Sequence, residues 1–270
     1  TILSQIVADV LGLTPEHIKV NLDFDTAKDA WSIATGNYSS RFSSATAVAC
    51  QKAAEKVKAK LARIASQTLN VPSDQLEFVE GKIRDVTNLE NGINFYRAAG
   101  SAHWTPGNLP DEMEPCVRET GSWSPPELES PNDKDQINTS LTYGFVFDFC
   151  GVEIDENTGE VNIDRYVTLH DSGTLLNPLI ADGQVHGAFA WAIGCALYEE
   201  FVYGDDGSFL TGTFADYLVP TSWEVPEPQI IHMESPSMVT PLGAKGIGEG
   251  NCMSTPVCLA NAVADAIDVE

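Results

Sequence analysis

Hydrophobic and polar positions follow two periods along this chain. Ile2, Ile6, Val7, Val10 and Leu11 recur at helical spacing and predict a helix over residues 2–12. Thr14-Pro15-Glu16 has the form of a helix start, and Ile18-Lys19-Val20-Asn21-Leu22 alternates like a strand. A long Ala- and Lys-rich helix is predicted from about Ser43 to Leu69 and stopped by Val71-Pro72-Ser73. Residues 76–86 read as a hairpin turning at Glu80-Gly81-Lys82. Residues 139–154 and 161–167 are β-prone and flank Asp155-Glu156-Asn157-Thr158-Gly159, a strong hairpin signal. Asn177-Pro178 opens a helix to about Glu200. A second hairpin at Asp205-Asp206-Gly207, a short strand over residues 230–233 and a last helix over residues 255–267 complete the list. Residues 100–135 have no period and read as a long irregular excursion, a place for the chain to subdivide near 80–135. Hairpins and helices mix without regular βαβ alternation, which predicts an α+β fold of mixed sheets with packed helices.

Composition narrows the function classes. The chain has 270 residues, 43% hydrophobic and 20% charged, an ordinary globular balance with enough chain for a sizeable core. The longest apolar stretch, residues 188–197, is too short for a membrane span. The chain begins at Thr1 inside a predicted helix, without a signal-peptide pattern, and reads as a fragment. Fifteen Lys and Arg against 39 Asp and Glu give a net charge of −24. Such a polyanion repels nucleic acid and anionic membranes alike. Six cysteines form no CxxC pair and match neither zinc nor iron–sulfur spacing. Cys195 and Cys258 lie in apolar helical surroundings and read as small core residues, and the whole pattern fits a reducing cytoplasm.

Three segments carry candidate chemistry. In Gly243-Ala244-Lys245-Gly246-Ile247-Gly248-Glu249-Gly250-Asn251, Glu249 is flanked by Gly248 and Gly250 just before a helix. Glycines permit positive φ and close approach of a ligand, and a lone carboxylate there suits a general base. A surface turn with a solvated Glu is the alternative. In Asp182-Gly183-Gln184-Val185-His186-Gly187-Ala188, Gln184 offers a donor and an acceptor to the edge of a heterocyclic cofactor, unless it is only a helix-surface residue. His186 has no second ligand at metal spacing and reads as structural. Gly36-Asn37-Tyr38-Ser39-Ser40-Arg41 puts hydroxyls and a guanidinium ahead of a helix N-terminus, a combination suited to phosphate or to simple capping.

Together the three segments resemble the molybdenum-binding large subunit of the xanthine dehydrogenase/aldehyde oxidase family, in order and over nearly all of the chain. Gly243 to Glu249 is similar to the catalytic-glutamate loop of that family. Asn177-Pro178 with Gly183 to Ala188 is similar to its late cofactor-contact helix. Gly36 to Arg41 resembles its pterin-dinucleotide loop. His103-Trp104 and Met113-Glu114-Pro115 resemble the linker of the carbon monoxide dehydrogenase large-subunit branch. The resemblance implies that residues 1–270 are the C-terminal part of the molybdopterin-binding domain. The reaction implied is hydroxylation of an aldehyde or N-heterocycle with water as oxygen source. Glu249 would be the base, and Gln184, Gly36, Asn37, Ser39, Ser40, Arg41 and Gly248 would hold the cofactor, in its cytosine dinucleotide form. The pterin holds the metal in this family, so no protein metal ligand is implied. Iron–sulfur clusters and FAD would sit on partner subunits, and the N-terminal half of the large subunit would be a further partner. The alternative is a non-catalytic structural half of a split or degenerate large subunit.

Overall fold

A computed structural model describes residues 1–23, 25–28, 37–125, 127–138 and 140–267. The chain forms two compact units, Thr1–Pro126 and Glu127–Glu270. Helices and small sheets occur in both, so the fold is α+β.

In the first unit, helix α1 (Ile2–Leu11) ends at Gly12 in the left-handed conformation and packs on helix α2 (Ala47–Leu69). One π-helical turn, Phe42–Thr46, leads into α2. Strands β1 (Leu76–Val79), β2 (Lys82–Asp85) and β3 (Gly92–Asn94) form an antiparallel meander. The β1–β2 turn falls on Glu80 and Gly81, both at positive φ, as a two-residue hairpin requires. Helix α3 (Phe95–Trp104) starts at Asn94, whose side chain accepts the N–H groups of Tyr96 and Arg97. Leu11, Leu61, Ile64, Ala65, Ile83, Phe95, Ala98 and Ala102 form the core.

Two expectations fail here. Residues 18–22 form no strand; they are half-exposed or exposed, and among the described residues no strand pairs with them. The supposedly irregular stretch from residue 100 begins inside α3, because Ala98 and Ala102 bury one helical face that the surrounding polar residues disguise.

In the second unit, β4 (Phe145–Ile154) and β5 (Val161–Asp171) form a long antiparallel hairpin, and β6 (Gln229–Met233) adds to β5 in parallel. The Asp155 carboxylate accepts the N–H groups of Asn157 and Thr158 and closes the hairpin turn. Helices α4 (Pro178–Ile193) and α5 (Gly250–Ala266) pack together, and α5 lies on β4. Ile163, Tyr166, Phe189, Ile193 and Leu259 form the core.

The predicted hairpin at residues 205–207 reduces to one bridge, Tyr203 to Phe209. The last helix starts at Gly250 rather than Thr255, since Asn251 and Thr255 are both buried and hold an extra turn against the sheet. Cys195 is exposed, because α4 gives way at Gly194 to a π-helical turn. Among the described residues, no helix is long and apolar enough to cross a membrane.

Candidate active site

The alternation of β4 sends Val146, Asp148 and Cys150 to the helix-covered face and Phe145, Phe147 and Phe149 outward. Register places Asp148 beside Thr168 and Val146 beside His170. The covered face therefore carries a line of polar groups beneath the first turns of α5. His170 Nε2 lies 2.7 Å from Asn251 Oδ1. The amide oxygen can only accept, so the imidazole carries its proton on Nε2. Asn251 Nδ2 donates to Thr168 Oγ1 at 3.0 Å and to Asp148 at 3.3 Å. The Tyr166 hydroxyl donates to Asp148 Oδ2 at 2.7 Å and lies 2.8 Å from Thr255 Oγ1. Burial pushes the Tyr166 phenol well up and, opposed by the bond to Asn251, holds His170 below the usual imidazole range. Both groups stay neutral inside the fold. Asn251 and Thr255 are one turn apart on α5, so the network fixes the rotation and depth of that helix.

Glu249 is the residue that opens α5, with φ −128° and ψ 24°. Its side chain makes no capping bond and is exposed. Of the glycines in its loop, Gly243 is the one at positive φ (+68°). Gly250 answers a different need: a Cβ there would stand 2.9 Å from His170 Cε1 and from Val146 Cγ2. The expected freedom of backbone around Glu249 is thus close packing on one side.

The loop before Glu249 is fastened to the end of β5. Lys245 N–H donates to Ser172 O at 2.7 Å, Thr174 N–H donates to Gly243 O at 3.1 Å, and Ala244 bridges Gly173. Gly173 is at φ +63°, and a Cβ there would stand 2.2 Å from Gly243 O. Lys245 Nζ reaches Asp171 Oδ2 at 3.1 Å and Ser235 Oγ at 2.8 Å. Asp171 also accepts the N–H groups of Gly173 and Ser235 and the Ser235 hydroxyl. Burial raises the Asp171 carboxyl, but these bonds outweigh it and hold the group at about 2.

Gln184 lies on α4 and is exposed, with Gly183 and Gly187 beside it on the same helix face. A Cβ added to either glycine would meet nothing within 4 Å. The Cys252 thiol points at the Ala188 carbonyl, Sγ to O 3.7 Å. That contact sets the first turn of α5, and so Glu249, beside the turn of α4 that follows Gln184. His186, on the same helix, lies 3.5 Å from Glu227.

The phosphate-type loop belongs to the first unit. Gly36 lies outside the described residues. Asn37, Ser39 and Ser40 are exposed, and Arg41 is partly so. Ser39 and Ser40 have φ of 56° and 53°, uncommon for residues other than glycine. Asn37 Oδ1 accepts from Thr46 Oγ1 at 2.7 Å, and the Arg41 guanidinium lies 5.2 Å from the Tyr38 ring centre.

Residues 1–226 match the molybdopterin cofactor-binding domain family. The chain belongs to that family, within the xanthine dehydrogenase/aldehyde oxidase group of molybdenum enzymes. It is 33% identical over 269 residues to the 6-hydroxypseudooxynicotine dehydrogenase complex subunit gamma of Paenarthrobacter nicotinovorans, covering 99% of this chain and 32% of that one. It superposes on CO dehydrogenase from Oligotropha carboxidovorans with TM-score 0.84 and 31% identity, over 99% of this chain and 31% of the other. Quinoline 2-oxidoreductase from Pseudomonas putida 86 gives TM-score 0.84 at 29% identity, covering 99% and 32%. The chain thus spans about a third of the length of these relatives.

Sequence reasoning singled out Glu249 and Gln184 but assigned no role to Asp148, Tyr166, His170, Asp171, Lys245 or Asn251. Their signal was present: Asp148, His170 and Asp171 are polar residues inside β-prone stretches. Only the register reveals which face each one takes.

Proposed function

We propose that the chain is the C-terminal part of the large subunit of a molybdenum hydroxylase, acting on an aldehyde or an N-heterocycle with water as the oxygen source. Glu249 is its general base. The observation that carries this reading is the state of Glu249: an exposed carboxylate, free of capping duty, at the end of a loop fastened to the end of β5 at Gly243, Ala244 and Lys245. An exposed carboxylate can serve as a base for a proton within its hydrogen-bond reach.

The residues fit a pterin. Gly183 and Gly187 leave a strip of α4 without side chains, open to a flat ring system, and Gln184 beside it offers both hydrogen-bond roles to a ring edge. Gly248 keeps the approach to Glu249 free of a side chain. The Asn37, Ser39, Ser40 and Arg41 loop, with Gly36 before it, would hold the phosphates of the cytosine dinucleotide form. Positive-φ Ser40 followed by right-handed Arg41 makes a concave run of N–H groups, and the guanidinium adds charge. When bound, the cofactor supplies the redox chemistry. The chain's part is to orient it, exclude water and move a proton at the Glu249 carboxylate.

Partners follow from surface and length. Phe145, Phe147, Phe149, Ile231 and Met233 make an exposed apolar sheet face of a kind that soluble surfaces rarely leave uncovered. The N-terminal half of the large subunit is the natural cover for a chain a third as long as its relatives. Iron–sulfur and flavin subunits of a cytoplasmic complex would carry the electrons onward; nucleic acid and membrane are no part of this reading.

Glu249→Gln in the complete, molybdenum-loaded complex tests the proposal. Turnover should fall on the order of 10²–10⁴-fold with molybdenum and pterin retained. Near-full turnover removes Glu249 as the base. An intact complex holding neither molybdenum nor pterin would leave a structural, non-catalytic half, which the apolar sheet face would serve equally well.

A further inference from the structure

The Lys245–Asp171 pair is buried, with side-chain exposures of 11% and 2%. Asp171 is saturated. Oδ1 accepts the N–H groups of Gly173 (3.0 Å) and Ser235 (3.1 Å), and Oδ2 takes Lys245 Nζ and the Ser235 hydroxyl. Lys245 Nζ also donates to Ser235 Oγ and stands 5.8 Å from the Phe145 ring centre. One charge cluster thereby ties three separate pieces of chain: the end of β5, the segment after β6 and the loop that ends in Glu249.

Stability alone does not account for such a cluster. Taking two charges out of water costs several kcal/mol per ion, and apolar replacements of a buried pair are often neutral or stabilising. What charges add is geometry, since their bonds are satisfied in one arrangement and frustrated in others. The backbone bonds from Lys245 N–H to Ser172 O and from Thr174 N–H to Gly243 O belong to the same fastening. Four residues beyond Lys245 stands Glu249, whose own side chain makes no capping bond. At the far side of Glu249, the buried Asn251 fixes the first turn of α5. The backbone at Glu249 therefore lies between two anchors, and the Lys245 cluster is the one on the loop side.

We propose that Lys245, Asp171 and Ser235 are positioning residues that set the place of Glu249 by clamping its loop to the end of β5. The proposal rests on Glu249 acting as the base. A misplacement of order 1 Å at a reacting group can cost about 100-fold in rate, so a clamp of this kind reads out in kcat rather than in substrate binding.

The test uses the complete, molybdenum-loaded complex carrying Lys245→Met with Asp171→Asn. The pair removes both charges while Asn Oδ1 still accepts the two N–H groups. The expected result has three parts. Molybdenum and pterin content stay at the wild-type level. The kcat falls about 10- to 100-fold while KM stays within about threefold. Backbone amides of residues 243–249 lose protection from hydrogen exchange, which a static structural filler would not predict. Wild-type kcat together with wild-type exchange in this loop overturns the clamp. If the double variant does not assemble, Ser235→Ala keeps the ion pair and removes the shared hydroxyl, and unchanged exchange and kcat in that variant overturn it too. Glu249→Gln, run in parallel, separates the two readings. Full turnover there defeats the base assignment, whereas lost turnover there beside a fully active, fully protected double variant defeats the clamp alone.

Discussion

His170 and Asn251 meet through a 2.7 Å bond between Nε2 and Oδ1, both side chains being almost completely buried. The bond joins the sheet to the first turn of the helix that Glu249 opens. Asn251 satisfies His170, Thr168 and Asp148 at once. Asn251→Leu keeps roughly the same volume but strands the buried His170 and Thr168 and takes one donor from the half-buried Asp148. Each unsatisfied group costs about 1–3 kcal/mol, so a loss of about 2–4 kcal/mol is expected after partial relaxation. Denaturant unfolding of the variant against wild type measures it, and a change under about 0.5 kcal/mol would mean that the polar groups find other partners.

The same histidine makes stability depend on pH. Burial holds its folded value below the usual 6.5, so the folded state keeps it neutral while the unfolded chain takes up a proton. Stability contributed by neutral His170 is therefore complete above about pH 6.5 and is lost as pH falls below that toward the folded value, with a slope of up to about 1.4 kcal/mol per pH unit. His170→Gln retains a donor for Asn251 and cannot titrate. The stability difference between wild type and this variant, followed from pH 8 to pH 5.5, should shrink only in the acidic half of that range. A constant difference across it would show that His170 does not change charge differently on folding.

Cysteine reactivity should separate by position. Cys150 and Cys258 face each other with sulfurs 3.4 Å apart, and burial, helped by Cys258, pushes the Cys150 thiol up to about 12. At pH 8 its reactive thiolate is on the order of 10⁻⁴ of the total. Cys195 is exposed. Iodoacetamide at pH 8, read by peptide mass spectrometry, should label Cys195 of the chain long before Cys150. Equal rates would mean that the hairpin and α5 separate readily.

How much of this was legible follows from where side chains had to be assigned to a face. Long periodic stretches announced themselves: α1 and α2 lie within a few residues of expectation, while α4 starts as expected but ends early, at Ile193, and β4 ends as expected but starts late, at Phe145. The Glu249 loop was legible because glycines around one carboxylate are unusual in any setting. The run Phe145-Val146-Phe147-Asp148-Phe149-Cys150 was β-prone on sight, yet its alternation invites the phenylalanines inward. The structure does the reverse, since Asp148 has Tyr166 and Asn251 to bond and the phenylalanines form an apolar outer face. Thr255-Pro256 imitates a helix start, whereas α5 has already run a full turn by then. Pro256 stands inside α5, where proline removes a helical hydrogen bond, and the buried Asn251 that extends α5 forward makes bonds to residues about 80 and 100 positions away. Interactions of that range leave no periodic trace. The same holds for Asp171, Ser235 and Lys245, which are unremarkable singly and form a cluster only through the parallel pairing of β6 with β5.

Gly250→Ala sets two opposed effects against each other. Alanine in place of glycine within a helix gains about 1 kcal/mol of propensity. Here the added methyl would stand 2.9 Å from His170 Cε1 and from Val146 Cγ2, closer than carbon atoms pack. Val146 is held in the β4–β5 ladder opposite His170, and the imidazole is tied to Asn251. Neither can step aside without disturbing the polar line below α5. Overpacking of this sort costs about 1–3 kcal/mol, and the broken geometry of a hydrogen-bonded pair adds to it. The cost wins, and the unfolding midpoint of Gly250→Ala should fall although the substitution favours helix. The same shift should displace Glu249, its immediate neighbour, so turnover of the loaded complex should drop further than stability does. A raised midpoint with unchanged turnover would mean that the helix start slides over the sheet freely, and that the His170–Asn251 bond does not fix it.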